Sequence, residues 1–195
     1  MNFEQWRHNK RAWMFHFIGN ETRAYDEYVI AYRHNPTAEA ARSLGSITAK
    51  REKLIDAIRW FEEAVRLEPE DAETWFNLGF VRERGGLLRE AIEAFREAVR
   101  LKPSVDRAWY GMGMTHAALG EHPEALQALE EAARLQPLNA EARYQLGMAC
   151  FHCGDLKRTR AAIIELKNMD SKRANKLIKD TGSQEFDDLI TQLPF

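Results

Sequence analysis

The side chains that could do chemistry in this chain are its cysteines, histidines and carboxylates, and one short motif gathers them: Cys150-Phe-His-Cys153. That spacing suits half a zinc site, because two thiolates so placed can reach one tetrahedral ion. A second ligand pair at matching spacing is absent, and Gly154 stands where haem attachment would need histidine. His116 lies 34 residues before Cys150, so a three-ligand site on neighbouring helices is conceivable. Against it, Cys150 falls on the apolar side of its helix, where a small buried hydrophobe is the ordinary occupant. The sequence therefore predicts no metal and no cofactor. It contains no Gly-rich phosphate loop, nucleophile elbow or H-E-x-x-H pattern. Glu93, Glu97, Glu130 and Glu131 fall at solvated helix positions, where they pair with neighbours and keep the surface soluble. With no candidate for catalysis, the chain is expected not to be an enzyme.

Helices must position all of these residues, because the sequence repeats. Between Asp71 and Pro103, Trp75, Leu78 and Gly79 form one helical stripe; after the Gly85-Gly86 break, Ala91, Phe95 and Ala98 form a second. Moving on by 34 residues gives Trp109, Met112, Gly113, Ala125, Leu129, Ala132 and Pro137, and moving back by 34 gives Leu44, Gly45, Ala57, Phe61 and Ala64. Each copy reads as two antiparallel helices. A glycine inside a helix costs about 1 kcal/mol relative to alanine, so Gly79 marks a close approach by the second helix. Ala91 and Ala98 are the small partners there, and Phe95 fills the space between. Pro103 cannot continue the second helix and turns the chain into the next hairpin. One such hairpin cannot bury its faces, but stacked copies can.

The pattern W-x-x-L-G, A-x-x-x-F-x-x-A and a closing proline resembles the tetratricopeptide repeat (TPR) family. That resemblance implies an all-α, right-handed α-solenoid of stacked antiparallel helix pairs, with about five repeats and C-terminal capping helices. In chain order, residues 1–37 read as a degenerate first repeat. Residues 38–71, 72–105 and 106–139 read as clear repeats, 140–173 as a degenerate one, and 174–195 as capping helices. The second repeat has Ala41 where later ones have tryptophan, and the fifth has Thr159, Leu166 and Ser171 where Ala, Ala and Pro are expected.

Both ends depart from the pattern. Phe3, Trp6, Trp13 and Phe17 fall on one helical stripe, widened by Met14, Phe15 and Ile18, and Trp6, Trp13 and Phe17 are expected either to cap the stack or to form a dimer contact. At the other end, a short helix over Lys172 to Lys179 should stop at Asp180-Thr-Gly182. Ser183 should then cap a final amphipathic helix through Phe186, Leu189, Ile190 and Leu193. That tail is expected to cover the last repeat, with occupation of a groove as the alternative.

Composition bounds the function. The 28 basic and 30 acidic residues give a net charge of -2, and neither sign forms a block, so neither nucleic acid nor an anionic membrane surface is indicated as a partner. No apolar run approaches the ~18 residues of a membrane span, and Arg7, His8, Lys10 and Arg11 interrupt any signal-like segment. Two cysteines argue against a disulfide scaffold. The expectation is a cytoplasmic protein without membrane insertion.

One residue past each core stripe lies a second stripe: Phe76 and Phe80, Tyr110 and Met114, Tyr144 and Met148, continued by Phe151. In the family that this chain resembles, the first helices line a concave surface, so all seven would face one groove. Phe80, Met114 and Met148 replace a common Asn, and an apolar strip of this kind marks an interaction site. Arg42, Asn77, Arg84 and Arg107 are the polar residues expected beside it. The family's carboxylate clamp, carried over, would use Arg42, Asn77 and Arg107 but meets Ser46 and Gly111 where an Asn and a second base belong. The reading is a non-catalytic adaptor or chaperone-like scaffold holding an apolar or amphipathic peptide segment. Its alternatives are a self-associating assembly unit using the aromatic N-terminal or amphipathic C-terminal helix and, behind that, a carboxylate-clamp co-chaperone for an acidic tail.

Overall fold

A computed structural model describes residues 3–191. Among the described residues there are helices and no strands, and consecutive helices pack as stacked antiparallel pairs. The chain divides into two compact units, Met1–Lys102 and Pro103–Phe195.

The first unit holds α1 (Phe3–Phe17), α2 (Glu21–His34), α3 (Ala38–Lys50), α4 (Leu54–Leu67), α5 (Ala72–Arg84) and α6 (Leu88–Leu101). They pair as α1 with α2, α3 with α4 and α5 with α6, and α2 and α4 also pack on the next helix in the chain. The recurring residues act as expected. A Cβ added at Gly79 would lie 2.6 Å from the Phe95 ring, and one at Gly45 3.0 Å from Phe61, so glycine is what lets each aromatic enter the gap between paired helices. Trp75 Nε1 donates to the Pro69 carbonyl at 2.7 Å, tying the start of α5 to the turn before it. Ala41 offers no such tie in α3.

The N-terminal pair departs from this plan. Its core holds Ala12, Ala24 and Tyr28 with Ala40, Leu44 and Ile47 of α3, and Phe15 packs against it partly buried. The residues that α1 buries are Gln5, His8 and Ala12, whereas Phe3, Trp6, Trp13, Met14, Phe17 and Ile18 are exposed. The aromatic stripe therefore does not cap its own unit. It points the other way because the inner side of α1 is held by polar contacts.

The second unit holds α7 (Asp106–Ala118), α8 (His122–Leu135), α9 (Ala140–His152), α10 (Leu156–Met169), α11 (Ser171–Thr181) and a 3-10 turn over Gln184–Leu189. Gly113 faces Leu129 as Gly79 faces Phe95, with a Cβ 2.7 Å from Leu129 Cγ. In the fifth pair the plan shifts, since a Cβ at Gly147 would meet Leu177 of α11 at 2.6 Å. The missing proline is also explained. Asp170 closes α10 by donating its N–H to Leu166 and opens α11 by accepting from Arg173 N at 3.0 Å, so one residue makes the corner.

α11 ends at Thr181, with Gly182 left-handed at φ 62°. Ser183 Oγ then accepts from Glu185 N at 3.3 Å, as an N-cap should. The expected amphipathic α-helix is not formed after this cap: the chain makes the 3-10 turn instead, and Ile190 is extended and 53% exposed. Asn175 is the physical reason for this correction. Its side chain donates to Thr191 O at 2.7 Å and accepts from Thr191 N at 2.9 Å, holding the chain extended where a helix would have continued. Leu193 lies outside the described residues. Among the described residues, no helix is long and apolar enough to cross a membrane.

Candidate functional site

The structure sorts the predicted strip by burial. In the first unit, Phe76 is 9% exposed, tilted against Phe95 at 6.0 Å and stacked on Phe80 at 6.4 Å, so it belongs to the core. Phe80 is 42% exposed one turn on, with the Arg84 guanidinium 5.8 Å over its ring. Arg84 also pairs with Glu52 at 2.9 Å, and Asn77 is half-buried on the same helix. This aromatic and its cation form a contact point of the kind that seats apolar groups beside a charge.

In the second unit, Tyr110 and Met114 are half-buried on α7, with Tyr110 against the cluster of Leu129, Ala133, Leu146, Ala149 and Cys150. Tyr144 is buried, which corrects the expectation of an exposed groove residue. Its hydroxyl donates to Asp180, and the Lys176 ammonium stands 4.9 Å over its ring, both from α11. Burial raises the Tyr144 pKa, and the Asp180 carboxylate raises it further. Met148 and Phe151 pack partly buried against the cluster that Leu177, Ile178 and Phe186 complete. The cover was legible in part, because Ala174, Leu177 and Ile178 recur at i, i+3, i+4 within the short helix predicted there.

Cys150 is buried, and burial pushes its thiol up to about 11, which keeps it protonated and unreactive at neutral pH. Cys153 is exposed, and its pKa is also raised by partial burial. His116 Nδ1 lies 2.7 Å from Glu121 of its own hairpin turn, so its partner is local. The His122 and His152 rings stack at 4.5 Å, and burial, then the neighbouring His122, lower the His152 pKa. Among the described residues no group of three His, Cys, Asp or Glu side chains could hold a metal ion.

These helix pairs match a known sequence pattern over more than half of the chain: the tetratricopeptide repeat model matches residues 49–106 and 110–165. The chain belongs to the tetratricopeptide repeat family. No curated protein matches its sequence. Among solved structures, the MamA protein is similar with 21% identity, covering 100% of each chain, at a TM-score of 0.79. YrrB, described as a TPR protein with an unusual peptide-binding site, has 22% identity over 86% of this chain and 88% of its own, at a TM-score of 0.77. PilF of Pseudomonas aeruginosa has 15% identity over 93% and 86%, at a TM-score of 0.72. Identities this low show the TPR fold alone.

Placed in the TPR frame, the clamp positions are poorly supplied. Arg42 donates to Glu68 at 2.6 Å and to Asp71 at 2.9 Å, and Asp71 also accepts from Thr74 Oγ1 at 2.5 Å. The guanidinium that would greet an incoming carboxylate already holds two carboxylates of its own chain. Arg107 is exposed on α7, with Gly111 beside it. The TPR fold makes the chain a protein-interaction module in class, and typical members of the family are non-catalytic.

Proposed function

We propose that this TPR protein is a non-catalytic scaffold whose first helices hold an apolar or amphipathic segment of another protein. Phe80 carries the reading: a phenyl ring that is 42% exposed on α5, backed by Phe76 and flanked by Arg84, at a position where its own core does not need it. In the second unit, the half-buried Met114 and Tyr110 present polarizable and amphipathic surface of the kind that adapts to varied partners. The peptide-binding site named for YrrB supports such a use of the fold. Arg42, already bonded to Glu68 and Asp71, does not favour a carboxylate clamp. The reading includes a cytoplasmic setting, where a thiol such as the exposed Cys153 stays reduced.

Affinity capture from the native cell on the immobilised chain, run beside a Phe80→Glu/Met114→Glu variant, tests it. Desolvating two carboxylates costs several kcal/mol, which a micromolar interaction worth about 8 kcal/mol cannot absorb. The variant should keep its helical circular dichroism and melting temperature yet lose the proteins that the native chain retains. Equal retention by a folded variant contradicts the proposal.

A further inference from the structure

α1 is built inside out. Beside the small Ala12 and part of Phe15, its inner side is held by polar groups: Gln5 Nε2 donates to the Asn35 carbonyl at 3.4 Å and Gln5 Oε1 accepts from Asn35 Nδ2 at 3.1 Å. His8 Nδ1 meets Glu27, whose other carboxylate oxygen lies 2.8 Å from Arg11. The outer side is aromatic, with Phe3 67%, Trp6 45%, Trp13 62% and Phe17 78% exposed, and Met14 and Ile18 beside them. These side chains leave roughly 700 Å² of largely apolar surface in water, at ~150–250 Å² for each large aromatic. A typical monomer's largest patch is about 300–600 Å².

We propose that this face seats a second copy of the chain, the two α1 helices packing antiparallel about a two-fold axis beside Lys10. Three observations select that occupant. The area is what a dimer needs, since a standard interface takes about 800 Å² from each partner. The stripe is also its own reverse, as an isologous contact requires. Turning α1 end for end about Lys10 puts Phe3 on Phe17 and Trp6 on Met14, next to Trp13. Each end already holds a stacked pair, Phe3 with Trp6 at 6.1 Å and Trp13 with Phe17 at 5.6 Å.

Charge gives the third. Between Trp6 and Trp13 lies a cleft lined by Asn9, Lys10 and, from α3, Glu39. Lys10 and Glu39 have opposite charges and form no ion pair with each other. Because the axis runs beside Lys10, the two-fold brings both Lys10 ammoniums and both Glu39 carboxylates together in the joined clefts, where the Glu39 carboxylate of each copy balances the Lys10 charge of the other. Asn9 lines the same cleft, with its Oδ1 buried and without a hydrogen-bond partner. The face uses neither Phe80 nor Met114, so the proposal stands or falls independently of the scaffold reading.

Sedimentation equilibrium of the full chain over ~1–200 µM, the range of micromolar association, tests it. The expected mass rises from one chain to two. A Trp6→Glu/Trp13→Glu variant, shown folded by circular dichroism, should stay at one chain throughout, a weakening of ~100-fold or more, because buried tryptophans dominate interface energy. Lys10→Glu and Glu39→Lys should each weaken the dimer alone, and mixing the two variants should restore it as a heterodimer. A native chain that stays single at every concentration overturns the proposal, as does an oligomer indifferent to the tryptophan changes or a mixture that fails to recover. A single chain that instead binds phosphatidylglycerol vesicles through these tryptophans would give the face to a membrane surface and overturn it equally.

Discussion

The two ends of the chain solve the same problem in opposite ways. Each helix pair of a stacked array has an apolar face that something must cover. At the C-terminal end, α11 lays Leu177 over Gly147, Phe186 is 1% exposed, and Tyr144 is drawn into the same cluster. At the N-terminal end, α1 turns its aromatic side out and holds on to α2 through Gln5, His8 and Arg11. One end is covered by burial within the chain; the other leaves its aromatic side exposed. A capping role is therefore set by which side faces inward, and the number of aromatic residues does not decide it.

The largest effect should come from breaking the covered end. Phe186→Ala removes a buried ring from beneath the Arg160 guanidinium and should cost about 3–5 kcal/mol in urea unfolding. A loss below about 1 kcal/mol would mean the turn is not part of the core. Leu177→Ala should cost about 2–5 kcal/mol by the same measurement, and because Leu177 lies against Gly147 its loss should also raise amide exchange in α9. If α9 stays protected, α11 does not act as its cover.

Acid should sharpen the contrast from the other side. Hydrogen bonds from Arg66, at 2.7 Å, and then from Tyr32 pull the Glu63 pKa from the usual 4.5 down to about 2. A carboxylate with a depressed pKa stabilises the fold above its unfolded value, and that contribution is lost as pH falls from about 4.5 toward 2. Tyr32 is on α2, so the N-terminal pair should gain amide exchange in that window ahead of α11. Unchanged exchange in α2 across that window would contradict the role given to Glu63.

Much of the middle was legible because it is local and periodic. Gly45, Gly79 and Gly113 each meet the large residue one helix on, and the repeat interval places both. The burial of Phe76 and Tyr144 was not, since it depends on which way a residue beside the core stripe leans. Phe76 leans onto Phe95 of its own hairpin, and Tyr144 is buried because α11 folds over it. The 3-10 turn escaped for a similar reason, because Asn175 and Thr191 decide it from opposite ends of the tail. The aromatic stripe of α1 was plain in the sequence, but its direction was not: Asn35 and Glu27, on the far side of a turn, select the polar face for burial.

The most direct test of the contrast between the ends is urea unfolding of the native chain and a Trp13→Ser variant at two chain concentrations. Trp13 is 62% exposed, so in dilute solution its replacement should move stability by no more than about 0.5 kcal/mol. At high concentration the native chain alone should gain stability, because association favours the folded form. A loss of several kcal/mol in dilute solution would show that Trp13 is core in a single chain, and the N-terminal end would then be capped like the other.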